Sequence, residues 1–200
     1  MRVPLVFGFV CLVASANANL LSNSDFNIVG PNGSPTVHVG LNGLGSSSAD
    51  SWSVWHNSNA VTTTQLVNTS NLLPVGVPTG ATTGMLVTST GASNGLFQTF
   101  GSNPSNAFFD VYVYVLQGQV TIGAGNGGAT TGTVNSSGTN MWEHLITASS
   151  GSPVNQAIIY STGPSVYYVT SAKIDTVPEP ASMAVIGLGV VAFARRRRSK

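Results

Sequence analysis

The chain has 200 residues and a formal charge of +1, with only seven Lys and Arg against six Asp and Glu. Six of the seven cations sit in the two ends, so residues 19–177 set five acids (Asp25, Asp50, Asp110, Glu143, Asp175) against Lys173 alone, a net −4. A weakly acidic body with a single cation lacks the electrostatic footprint of a nucleic-acid binder, and a lone cysteine, Cys11, excludes a disulfide frame and a cysteine metal cluster.

Residues 1–18, MRVPLVFGFVCLVASANA, have the three parts of a secretory signal peptide. Arg2 supplies the charged start, residues 3–13 are almost wholly apolar, and Ala16-Asn17-Ala18 is a small-x-small cleavage site. Cleavage is expected between Ala18 and Asn19. Cys11 is not read as lipidated, because Val10 stands where a lipoprotein signal needs a small residue.

Residues 19–176 are about 160 in number, enough for one domain with a real core. They are rich in Gly, Ser, Thr, Asn and Val and show no 3.6-residue apolar period. Short β-rich runs bounded by turn residues instead predict an all-β sandwich of two antiparallel sheets. Strands are expected at 19–26, 52–56, 61–67, 83–90, 96–100, 108–116, 119–123, 141–148, 157–161 and 166–174. In the longest run, FFDVYVYVL, Phe109, Val111, Val113 and Val115 share one face while Asp110, Tyr112 and Tyr114 share the other. Gln117-Gly118 is expected to fold 119–123 back on this strand as a hairpin. Residues 91–95 are expected to close a second hairpin between 83–90 and 96–100. No fixed internal period suggests a solenoid or propeller.

Three motifs carry less chemistry than their spelling suggests. Gly91-Ala92-Ser93-Asn94-Gly95 spells a nucleophile elbow, with Asp110 and His144 following in hydrolase order, but an elbow needs a helix after it and here a strand pattern follows. Gly123 to Gly128 spells a dinucleotide fingerprint, yet ATTGTVNSSG comes next without helical period, so it reads as a flexible glycine loop. His38, His56 and His144 fall in different strands without chelating spacing, and adjacent Glu143 and His144 point to opposite faces. No catalytic residue, metal ligand or cofactor is therefore assigned. Among the aromatics, Trp52, Trp55, Tyr112, Tyr114, Trp142 and Tyr160 could stack on sugar rings, although large aromatics in a β-sandwich are more often core. Trp52 and Trp55, three apart and so on opposite faces of a regular strand, are the candidates for stacking on sugar rings.

The tail, VPEPASMAVIGLGVVAFARRRRSK at 177–200, joins three features. Pro178, Glu179 and Pro180 form a stiff extended tripeptide. Residues 181–194 are uncharged and apolar, about 21 Å as a helix against a bilayer core of about 30 Å. Arg195, Arg196, Arg197 and Arg198 form a basic flank that marks the cytoplasmic side, with everything upstream across the membrane. A span this short suits a transient stop better than a permanent anchor.

This tripartite tail resembles a PEP-CTERM sorting signal. The resemblance implies recognition of Pro178, Glu179 and Pro180 by an exosortase-type enzyme, export across the inner membrane, and delivery to the cell envelope, surface or extracellular matrix. It also implies association with exopolysaccharide or biofilm material. A second resemblance runs through the body. NLLSNSDFN at 19–27 is similar to the opening of galactose-binding-like, carbohydrate-binding-module jelly rolls. Trp52/Trp55, Leu96-Phe97-Gln98-Thr99-Phe100, the 108–116 strand, Trp142-Glu143-His144-Leu145 and the 167–175 stretch follow in that family's order. This implies a jelly-roll-like sandwich. Asn27 and Thr170-Ser171 are neutral where the family carries the acids that help bind calcium, so no calcium site is implied. The chain therefore reads as a non-enzymatic exported protein with a structural, exopolysaccharide-associated role. Lectin-like carbohydrate binding is the alternative, and a secreted hydrolase the remote third.

Overall fold

A computed structural model describes residues 19–39, 43–56, 60–148 and 151–176. The expected signal peptide (1–18), the Pro-Glu-Pro motif, the apolar segment 181–194 expected as a helix and the arginine flank lie outside the described residues. The described strands are β1 (Thr36–His38), β2 (Gly43–Ser46), β3 (Ser53–His56), β4 (Thr62–Asn68), β5 (Thr83–Ser89), β6 (Asn94–Thr99), β7 (Ala107–Gln117), β8 (Val120–Asn126), β9 (Ala129–Asn135), β10 (Trp142–Ile146), β11 (Gln156–Ser161) and β12 (Ser165–Thr176).

They form two six-stranded sheets, ordered β1-β4-β5-β12-β7-β10 and β2-β3-β6-β11-β8-β9, and every strand pairing is antiparallel. The eight strands β5 to β12 alone give β5-β12-β7-β10 facing β6-β11-β8-β9, the two four-stranded sheets of a jelly roll. β4 and β1 extend the first sheet, and β3 and β2 extend the second.

Alternation on the longest strand sets the core. Phe109, Val111, Val113 and Val115 are fully buried, and they meet Val54, Leu96, Ile122 and Ile159 from the other sheet in one cluster. Trp52 and Phe26 plug one end, with ring centroids 4.9 Å apart. A smaller cluster forms on the outer face of the first sheet, where Val67, Leu73 and Tyr168 pack with Val77, Leu86, Tyr114 and Trp142. Residues 69–82, connecting β4 to β5, contribute Leu73 and Val77 to it, and the Trp142 indole N–H donates to the Val75 carbonyl at 3.3 Å.

Four expectations need correction. Neither predicted hairpin exists: β5 and β7 lie in the first sheet, whereas β6 and β8 lie in the second. β7 already has β12 and β10 on its two edges, so the chain arches across the sandwich at Gly118 (φ 82°) rather than pairing with itself. The predicted strand at 19–26 is irregular, because its polar side chains capture backbone groups that a ladder would use. Asn19 Oδ1 accepts from the Leu21 and Ile174 amides, both at 3.1 Å. Asn23 Oδ1 accepts from the Asn27 and Ile28 amides at 2.9 and 3.1 Å. Gln98 clamps Ser22 at both backbone groups, at 2.7 and 2.8 Å. The predicted glycine loop at 123–128 is instead mostly strand. Residues 123–126 end β8, and Gly127-Gly128, with φ of 60° and 86°, make a two-residue hairpin turn into β9. The three-residue β1 and the glycine-containing β2 and β9 were not expected as strands.

Candidate functional site

The outer face of the second sheet carries the groove best suited to a ligand. Strand registry builds it: Leu44 of β2 pairs with Trp55 of β3, Trp55 with Gly95 of β6, and Gly95 with Tyr160 of β11. One row along, Phe97 pairs with Ile158. Gly95 is the keystone of this row. A Cβ there would lie 2.7 Å from the Trp55 ring and from Tyr160 Cβ, and closer still to the Ile159 carbonyl. Its absence lets the Trp55 ring lie across the sheet, 6.1 Å from both Phe97 and Tyr160, with interplanar angles of 54° and 47°.

The result is an open groove of about 400 Å³ lined by Leu44, Trp55, Phe97, Gly127, Gly128, Gln156 and Ile158. Its rim includes Gln156, whose Oε1 accepts from the Gly128 amide at 2.9 Å and whose Nε2 donates to Thr99 Oγ1 at 3.3 Å. Those described lining residues carry no ionisable group. Such a surface offers apolar ring faces and a neutral amide, the chemistry of an uncharged, hydroxyl-rich ligand whose own carbon-bound faces are apolar.

Of the two stacking candidates, the structure separates Trp55 from Trp52. Trp55 is half-buried on the groove floor, whereas Trp52 is 1% exposed and donates from its indole N–H to the Asn23 carbonyl at 3.3 Å. Trp52 has no ring face free for a sugar, which corrects that half of the assignment. Phe97 was quoted in the sequence only as part of a family pattern, and Leu44 and Ile158 were not singled out. Their convergence depends on pairings between distant strands.

The remaining candidates do not assemble a reaction centre. Asp110 and His144 do meet, at 3.1 Å on the outer face of the first sheet, and His144 stacks on Tyr112 with centroids 4.2 Å apart. Ser93, however, lies just beyond β5, whose Ser89 pairs with Ser165 at the start of β12, while Asp110 pairs with Lys173 near its end. Eight residues of strand separate those partners, roughly 25 Å. Glu143 points away from His144 and accepts from the Ser137 amide, the Ser137 hydroxyl and the Gly138 amide at 2.6–2.9 Å. Although burial works against it, these hydrogen bonds hold its carboxyl below the usual range. Its role is to anchor the β9–β10 connection.

Asn27 and Ser171 do come together, in a polar pocket with Asp25, Thr79 and Thr83. Thr79 and Ser171 hydroxyls bond each other at 2.9 Å, and Thr83 donates to the Asp25 carbonyl at 2.8 Å. Asp25 is the one carboxylate among the residues that line this pocket.

Residues 176–198 match the PEP-CTERM protein-sorting motif. Among curated proteins nothing matches this chain. Among solved structures, one similar chain is the CBM22-1–GH10 portion of a Clostridium thermocellum endo-1,4-β-D-xylanase complexed with xylohexaose (TM-score 0.40, 15% identity, 57% of this chain and 25% of that one). Another is the enzymatically active domain of tailspike protein 4 from bacteriophage CBA120 (TM-score 0.46, 10% identity, 80% and 21%). A third is the CBM22-1 xylan-binding domain from Paenibacillus barcinonensis (TM-score 0.44, 12% identity, 70% and 98%). The chain thus spans only a quarter and a fifth of the first two.

The described domain is a jelly-roll β-sandwich with a neutral aromatic groove on one outer face. Joined to its tail, it is an exported protein bearing a PEP-CTERM sorting signal.

Proposed function

We propose that the mature protein is a non-enzymatic component of the cell surface or matrix that holds neutral polysaccharide in the Trp55 groove. The observation that carries this reading is the pairing of Trp55 and Phe97 in a groove whose described lining has no ionisable side chain. A structural role without a specific glycan is the competing reading, and the sparse charge of residues 19–177 favours it only in allowing close self-association. Binding to the groove separates the two.

The test is retention of the untagged mature protein on a panel of neutral and anionic polysaccharides by affinity electrophoresis. Wild type is expected to be retarded by at least one neutral polymer. Trp55→Ala should weaken that retention about tenfold or more, the loss typical of truncating an aromatic anchor. Equal retardation of both proteins, or none on any polymer, would overturn the reading.

The proposed itinerary follows from the two ends. Residues 1–18 direct export and are removed between Ala18 and Asn19. Residues 181–194 then halt the chain in the inner membrane with Arg195, Arg196, Arg197 and Arg198 in the cytoplasm, and an exosortase-type enzyme acts at Pro178-Glu179-Pro180. Intact mass of the protein from cell and medium fractions checks both points. It should begin at Asn19 and lack the apolar and arginine segments. Surface material that keeps the whole 177–200 tail would contradict processing there.

A further inference from the structure

The outer edge of the second sheet stays open at one residue. β2 is the end strand of that sheet and pairs with β3 alone. Ser47, just past β2, donates its amide to the Trp52 carbonyl at 2.9 Å, so the odd-numbered residues here turn toward β3 and the even-numbered ones turn outward. Three of the outward residues are already engaged. The Ser46 carbonyl lies 3.1 Å from His38 Nε2, the Ser48 carbonyl accepts from the Gly30 amide at 2.8 Å, and the Asp50 amide donates to the Ile28 carbonyl at 2.9 Å. Among the described residues, Leu44 alone of this set has no such partner, and it is 75% exposed.

The surroundings of Leu44 suit an uncharged partner. Residues 26–49 contain no Asp, Glu, Lys or Arg, so this edge lacks the charged guards that keep sheets from pairing edge to edge. Ile28 and Val29 run along residues 48–50 and are exposed, as are Val37 and Val39 at β1. β1 and β2 lie on the same side of the sandwich, because the His38 ring of β1 sits over Gly45 of β2. A second copy of this chain presents the same neutral edge. Set antiparallel about a two-fold axis at Leu44, the two edges exchange both Leu44 hydrogen bonds, amide to carbonyl in each direction. No charge is desolvated by that contact.

We infer that a second copy of the chain docks along β2, with Leu44 opposite the partner's Leu44 and the two second sheets joined into one. The antiparallel arrangement brings the 28–30 segment of each copy to the β1 end of the other, apolar against apolar. Leu44 pairs with Trp55 and lines the groove, so one row of the joined sheet reads Trp55, Leu44, the partner's Leu44, the partner's Trp55. Three strand spacings of about 4.8 Å put the two tryptophans about 14 Å apart. Both grooves then open on one continuous face, where a single polysaccharide strand can engage the two at once. A short edge makes a small contact, of the transient class below about 1,200 Å², and the pair gains strength when both grooves hold one polymer. The joined groove rests on the Trp55 reading, whereas the dimer rests on the edge alone.

Sedimentation equilibrium of the untagged mature protein, with no polysaccharide present, tests the pairing. The mass is expected to rise reversibly toward twice that of the monomer between about 10 μM and about 1 mM, as for a transient contact. Leu44→Glu sets two like charges opposite each other and should weaken dimerisation about tenfold or more. Leu44→Cys gives a readout that does not depend on affinity, since Cys11 leaves with the expected signal peptide and residues 19–200 hold no other cysteine. Cα atoms of a hydrogen-bonded antiparallel pair are about 5.5 Å apart, inside the disulfide range. This variant should form a disulfide-linked dimer under mild oxidation, whereas Ile146→Cys, exposed on end strand β10 of the first sheet, should stay monomeric. A monomer throughout that range, a Leu44→Glu dimer of unchanged strength, or equal cross-linking of the two cysteine variants would each overturn the interface. A dimer that no neutral polysaccharide retards upholds the interface and counts against the Trp55 reading alone.

Discussion

Trp52→Ala is expected to destabilise the domain by about 3–5 kcal/mol, the cost of removing a large aromatic from a closed core. Trp52 is 1% exposed, packs against fully buried Phe26, and ties its indole N–H to Asn23. The cavity would open where the irregular 19–26 segment is pinned, since Asn23 and Gln98 both anchor that segment. Loss should therefore spread from the side chain to the clamp around it. Thermal unfolding should show Tm lower by about 10 °C or more, given roughly 2–4 °C per kcal/mol for a domain of this size. Trp55→Ala, only three residues away, should cost about 1 kcal/mol, because that ring is half-buried on the outer face. Comparable losses for the two would contradict their assignment to opposite faces.

Gly95→Ala is expected to damage stability and the groove together. The added methyl would run into the Ile159 carbonyl of the neighbouring strand, and into Trp55 and Tyr160 at 2.7 Å. A flexible side chain can move aside, but a carbonyl held in the β6–β11 ladder cannot without spreading the strands. Overpacking of this kind costs about 1–3 kcal/mol, and the clash with backbone places this variant at the upper end. The Trp55 ring would also be lifted from its place, so retention on neutral polysaccharide should fall about tenfold or more, as for Trp55→Ala. Chemical denaturation and affinity electrophoresis on the same sample check the two effects. A Gly95→Ala protein with wild-type stability and retention would show that Gly95 does not set the ring position.

The order of strands and the faces of the long ones were legible in the sequence. FFDVYVYVL states its own inner face, and Phe109, Val111, Val113 and Val115 all occupy it. Most of the predicted strand boundaries in the second half lie within a residue or two of those observed. The connections were less legible. A glycine turn between two alternating runs looks the same whether the second run pairs with the first or crosses to the facing sheet. In this chain β7 has no free edge for β8 to join. Likewise 19–26 has the composition of a strand, but Asn19 and Asn23 spend its backbone groups on side-chain bonds.

By itself, then, the sequence determined that the protein is exported, that it is all-β, and that Trp52 and Trp55 point opposite ways, since these depend on local signals and on the two-residue period of a strand. Tertiary structure alone decided which tryptophan is buried. It also gathered Leu44, Trp55, Phe97 and Tyr160 from four strands and set His38 against His56 across the sandwich. The physical reason is that each gathering depends on the registry of strands distant in the chain, which no local pattern encodes.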